Sequence, residues 1–120
     1  MEKVLKIDIH VHCRRKKGIE RGAAGAGTYT TPTELRYMYD RIGVEKGVNL
    51  PSLGVECGHH TIGNDTACEM AQDFPETLDW FCNMDPRWGK SSPETDFSYY
   101  INYYKTLGAK GIGEITANLP

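Results

Sequence analysis

Lys6-Ile7-Asp8-Ile9-His10-Val11-His12 is the stretch that decides the fold. Over residues 4–11, Leu5, Ile7, Ile9 and Val11 alternate with Val4, Lys6, Asp8 and His10, the period-two pattern of a β-strand. Successive side chains of a strand point to opposite faces, so Asp8, His10 and His12 are expected on one side. Ile7, Ile9 and Val11 are expected on the other.

Working outward, a long connection follows at 13–31, basic at Arg14-Arg15-Lys16-Lys17 and then rich in glycine and alanine. Thr31, Pro32 and Glu34 form a helix start of the capping-box type, with proline at the first helical position. Leu35, Met38 and Ile42 are expected on its buried face, and Gly43 supplies a left-handed stop. A second strand is expected at 47–50, ending at Pro51. A second helix is expected from Asn64, with Ala67, Met70, Ala71 and Phe74 as its stripe and Pro75 as its stop. A third strand is expected at 78–84. Ser92-Pro93-Glu94 repeats the cap-then-proline start, with Phe97, Tyr100, Ile101 and Tyr104 as the next stripe and Gly108 as the end. A fourth strand is expected at 111–115. The order is βαβαβαβ, which implies an α/β fold with a parallel sheet and crossover helices, in one domain spanning 1–120.

Composition narrows the function classes. Hydrophobic residues make up 39% and charged residues 25%, ordinary shares for a globular domain, which exclude disordered and fibrous classes. With 14 basic against 16 acidic residues the net charge is −2, so no nucleic-acid footprint is expected. No apolar run approaches the ~18 residues of a membrane span. The charged start does not read as an export signal, and the widely scattered Cys13, Cys57, Cys68 and Cys82 are expected to be free thiols in the cytoplasm.

His10 and His12, two positions apart on one strand, can direct neutral imidazole nitrogens at one divalent cation, zinc foremost and manganese as the alternative. A rigid strand holds such a pair at fixed spacing. The competing reading is an exposed edge strand whose histidines meet solvent. In the Glu56-Cys57-Gly58-His59-His60 loop, adjacent histidines lack that one-sided geometry and read as a second metal site, a substrate contact or solvated loop residues. The stretch at 22–27 (GAAGAG) matches no phosphate-cradling pattern and reads as a lid over the site.

Ile7-Asp8-Ile9-His10-Val11-His12 resembles the His-x-His signature of the first strand in the amidohydrolase superfamily, metal-dependent hydrolases built on a distorted (β/α)8 barrel. Further likeness lies in Thr31-Pro32, in Asn83-Met84-Asp85-Pro86-Arg87-Trp88 after the third strand, and in Gly111-Ile112-Gly113-Glu114 on the fourth. The resemblance implies that His10 and His12 are metal ligands at the mouth of the barrel. It implies that Glu114 is a ligand or bridging carboxylate, the alternative being a carboxylate bonded to a neighbouring strand. Arg87 is expected either to clamp a substrate carboxylate bidentately or to pack with Trp88 beside an Asp85-Pro86 turn.

The resemblance further implies a metal-dependent hydrolase acting on a small-molecule carbonyl (amide, lactone or ester), or a related decarboxylase. In that family the remaining ligands and the base follow strands 5, 6 and 8, beyond Pro120. The expectation is therefore the N-terminal half of a TIM-like barrel, inactive alone. Such a half is completed by its missing C-terminal half or by a second copy of the chain. The alternative is a non-catalytic, self-assembling α/β fragment with vestigial histidines.

Overall fold

The computed structural model describes residues 4–20 and 22–119. Its elements run β1 (Lys6–Val11), α1 (Pro32–Ile42), β2 (Val44–Asn49), α2 (Asn64–Asp73), β3 (Leu78–Trp80) and α3 (Ser98–Thr106), with a single 3-10 turn at Val55–Cys57. The strands form one parallel sheet in the order β1-β2-β3, with α1 and α2 as the crossovers. This is a small α/β domain with a three-stranded parallel sheet.

The α1 start forms as its sequence dictates. Glu34 N donates to Thr31 Oγ1 and Thr31 N donates back to Glu34 Oε2 (3.4 and 3.1 Å), while Gly43 closes the helix at φ 72°. The buried face of α1 differs from the expected stripe. Leu35 and Tyr39 are buried, whereas Met38 and Ile42 are exposed. Tyr39, four positions after Leu35, shares its row and finds a partner for its hydroxyl in Asp8, which lets a phenol replace an aliphatic residue there.

Two apolar clusters hold the layers together. Cys13, Leu35, Tyr39, Met70 and Leu78 fill the space between the sheet and the first two helices. Ile62, Ala67, Cys68, Trp80, Cys82 and Met84 form the second, closed by Phe97, Ile101 and Tyr104. Helix α2 serves both clusters, which is why Cys68 is buried beside the expected Ala67 and Met70. Tyr100 is half-exposed and lies against Trp88 instead, with ring centres 5.4 Å apart.

Among the described residues one expected element is not formed, one is shortened and one starts late. The fourth strand reduces to an isolated bridge, Cys82 to Ile112, held by Lys110 N to Trp80 O, Cys82 N to Gly111 O and Gly113 N to Cys82 O. Gly113 sits at φ 152°, and Gly111 lies so close to Phe81 that a Cβ there would meet the ring at 2.9 Å; such glycines interrupt regular pairing. The third strand likewise ends at Trp80, short of residue 84. Ser92-Pro93-Glu94 closes a turn, with Thr95 N donating to Ser92 O at 3.0 Å, and α3 starts at Ser98. Among the described residues no helix is long and apolar enough to cross a membrane, and all four cysteines are free.

Candidate metal centre

The site gathers at the C-terminal ends of β1 and β2. Between Asp8 and Val11 the register of β1 against β2 shifts: these residues, three apart, pair with Gly47 and Asn49, two apart. The extra residue is a bulge, and it corrects the alternation expected for this strand. Asp8 turns to the helix side, where Oδ2 accepts from Tyr39 Oη at 2.8 Å, and its Oδ1 accepts from His10 N at 3.0 Å. Val11 packs into the cluster on the same helix side. His10 and His12 remain together in the cleft without Asp8.

Their nitrogens converge with a carboxylate. His10 Nε2 lies 3.3 Å from His12 Nε2, and Glu114 Oε2 lies 3.4 and 3.0 Å from the two. Among the described residues these three form the group of His, Cys, Asp and Glu able to share an ion. His12 is mostly buried, Glu114 partly so, and His10 is open to solvent.

The His12 tautomer follows from its surroundings. Nδ1 stands 2.9 Å from the Leu50 carbonyl oxygen, which only accepts, so Nδ1 carries a hydrogen; Ser52 Oγ lies 3.2 Å from the same nitrogen. In the neutral ring Nε2 therefore presents its lone pair to the triangle. A hydrogen on His10 Nε2 can bridge to the His12 lone pair or to Glu114, and a divalent cation among the three atoms would draw on the same lone pairs. A tetrahedral cation ~2.0–2.1 Å from two nitrogens sets them about 3.3 Å apart, so the donor types and spacings fit zinc.

Asparagines to which the sequence reading gave no role at the site build its frame. Asn49, fully buried, accepts from Cys13 N at 2.9 Å and donates to Cys13 O at 3.2 Å, which pins the chain directly after His12. Asn64 and Asn83 form a matching pair, with Asn83 N to Asn64 Oδ1 at 2.7 Å and Asn64 Nδ2 to Asn83 O at 3.1 Å. Asn83 Nδ2 donates in turn to the Glu114 carbonyl. For Asn49 the signal was a polar residue at the end of β2, where backbone groups lose their ladder partners.

Glu114 lies beyond the isolated bridge and not within a strand. Arg87 directs its guanidinium to partners within the chain. Nε and Nη2 donate to Asp85 (2.9 and 2.7 Å), Nη1 and Nη2 to Glu56 (2.9 and 3.2 Å), and Nη1 also to Leu119 O at 3.1 Å. These bonds occupy the whole guanidinium fork within the chain. Arg87 hydrogen bonding holds Glu56 well below the ordinary carboxylate range, at about 2, and lowers Asp85 as well. His60 and Tyr29 border the same cleft, of about 740 Å³, and Tyr29 stands 5.4 Å from the His12 ring; His59 leans against His60 outside it, the rings tilted by 50°.

Comparison with family models, with curated proteins and with solved structures finds no match to this chain. The fold and the site together define an α/β protein with a candidate His-His-Glu metal centre.

Proposed function

We propose that this chain carries the metal-holding part of a metal-dependent hydrolase of the amidohydrolase type, acting on a small-molecule carbonyl, with zinc the favoured cation and manganese the alternative. One observation carries the reading: two imidazole nitrogens and a carboxylate oxygen meet within 3.0–3.4 Å of one another. The Nδ1 hydrogen bond to Leu50 that fixes the inner imidazole is the kind of outer contact that metal-binding histidines make. A bound cation would act as Lewis acid and make hydroxide available from water near neutrality.

The chain's own residues prepare that chemistry. Leu50 O and Ser52 hold the His12 ring in one orientation, while Glu114 brings negative charge that offsets part of a divalent charge. Tyr29 stands against the His12 ring at the cleft wall. Carbonyl hydrolysis is the favoured reaction, and lactone opening or decarboxylation suits the same donor set. In this reading the three strands belong to the N-terminal half of a TIM-like barrel, in a cytoplasmic enzyme whose further ligands and general base come from the other half or a second copy.

The test is metal analysis of the purified chain after dialysis against zinc or manganese. Stoichiometric metal that disappears in a His10→Ala/His12→Ala variant supports the centre. Equal metal content in wild type and double variant removes it. The second reading, a non-catalytic self-assembling fragment, is favoured by the uncovered apolar residues Ile7 and Ile9 (62% and 69% exposed) on the sheet's terminal strand. It predicts self-association without metal dependence.

A further inference from the structure

Glu114 is the member of the triangle that neither lies in nor adjoins a strand or helix. We propose that Arg87 is a positioning residue for Glu114: together with Glu56 it clamps residues 114–119 onto the loop at 53–57 and so fixes the Glu114 carboxylate beside His10 and His12. The clamp stands on its own contacts, and only its purpose rests on the metal-centre reading.

The contacts form a closed circuit. The Glu56 carboxylate, whose side chain is 8% exposed, accepts two hydrogen bonds from Arg87 and two more from the backbone N–H groups of Asn118 and Leu119 (3.1 and 3.0 Å). Arg87 itself reaches past Glu56 to Leu119 O. Thr116 Oγ1 donates to Leu53 O at 3.0 Å and accepts from Cys57 Sγ at 3.6 Å, tying the segment nearer to Glu114. Asp85 takes the remaining face of the guanidinium and keeps the fork aimed at Glu56. Charge-assisted, bidentate bonds of this kind fix geometry as well as adding energy. Gly54 completes the packing: it sits at φ 135°, and a Cβ there would come within 2.7 Å of Glu56 Oε2 and 3.4 Å of Arg87 Nη2.

Two readouts test the clamp. Hydrogen–deuterium exchange of the metal-free chain should rise across 114–119 in Arg87→Met and in Glu56→Gln, relative to wild type, while β2 stays protected. Gly54→Ala, which leaves the charges intact, should act in the same direction. Should Arg87→Met fail to fold, as judged by circular dichroism, the other two variants carry the measurement. In parallel, zinc affinity should fall ~10–100-fold in Arg87→Met, the range seen when an outer-shell partner is lost, and recover partly in Arg87→Lys. On a Glu114→Gln background Arg87→Met should cause almost no further loss, because the two act through one another.

Unchanged exchange at 114–119 overturns the clamp, and losses that simply add in the double variant overturn action through Glu114. If the wild-type chain takes up no zinc while exchange still rises, the clamp stands and the metal centre falls. If zinc binds normally and the variants change neither readout, the centre stands and the clamp falls.

Discussion

His12 Nδ1 and the carbonyl oxygen of Leu50 lie 2.9 Å apart, across the exit of two neighbouring parallel strands. The relation ties the side chain just past β1 to the backbone just past β2, so the sheet's two strand ends decide which nitrogen of the ring faces the cleft. Metal affinity should depend on this tie in proportion to what is removed. Ser52→Ala deletes only the weaker contact at 3.2 Å and should lower zinc affinity about tenfold or less, whereas His12→Ala should abolish stoichiometric binding. Isothermal titration of both variants checks the order; equal losses would contradict it.

Tyr39 and Asp8 supply a stability prediction. The Tyr39 hydroxyl, in a ring only 3% exposed, donates to Asp8 at 2.8 Å, so Tyr39→Phe should cost about 1–2 kcal/mol by removing a bond to a charged acceptor. Gly47→Ala should cost about 1–3 kcal/mol, because the added Cβ would lie 2.4 Å from the same hydroxyl. Urea denaturation midpoints measure both.

Acid sensitivity should track Glu56. Its carboxyl sits at about 2 in the folded chain against an ordinary 4.5, chiefly through Arg87, so the folded state binds the proton less readily than the unfolded chain. The resulting stabilisation is complete above about 4.5 and is lost as pH falls toward about 2. Glu56→Gln should lower stability near neutrality and flatten the decline over that window, as followed by urea midpoints at several pH values. Parallel declines in the two proteins would assign the acid limb elsewhere.

Thiol chemistry should discriminate among the cysteines. Burial raises Cys13 to about 12 and also raises Cys68 and Cys82, so these thiols are both hidden and protonated at neutral pH. Cys57, part-exposed near the 3-10 turn, should react first with an aromatic disulfide reagent. The other three should follow only with unfolding, and Cys57→Ser should remove the fast phase.

Much of this architecture was legible from local signals. Thr31, Pro32 and Glu34 specified the α1 start because a capping box is a contact among near neighbours, and Gly43 and Gly108 both take the left-handed conformation that their positions after helices implied (φ 72° and 94°). What escaped depended on distant partners. The bulge that separates Asp8 from the histidines is set by pairing with Gly47 and Asn49, and alternation within one strand carries no trace of it. Arg87 offered a fork without a destination until Glu56, 31 positions earlier, came into reach. The pairing of His10 with His12 followed from their spacing on one strand, whereas Glu114 was joined to them only by likeness to a family, and nothing in the spacing alone would have joined residue 114 to residue 12.

The bulged strand has a geometric corollary. Ile7 and Ile9 stand bare on the sheet's edge strand β1, three positions and one position ahead of the imidazole at residue 10. A polypeptide that shields those two isoleucines from water would also pass close to His10, the most exposed member of the triangle. If the proposed hydrolase reading holds, one docking event would shield the sheet edge and screen the metal centre together.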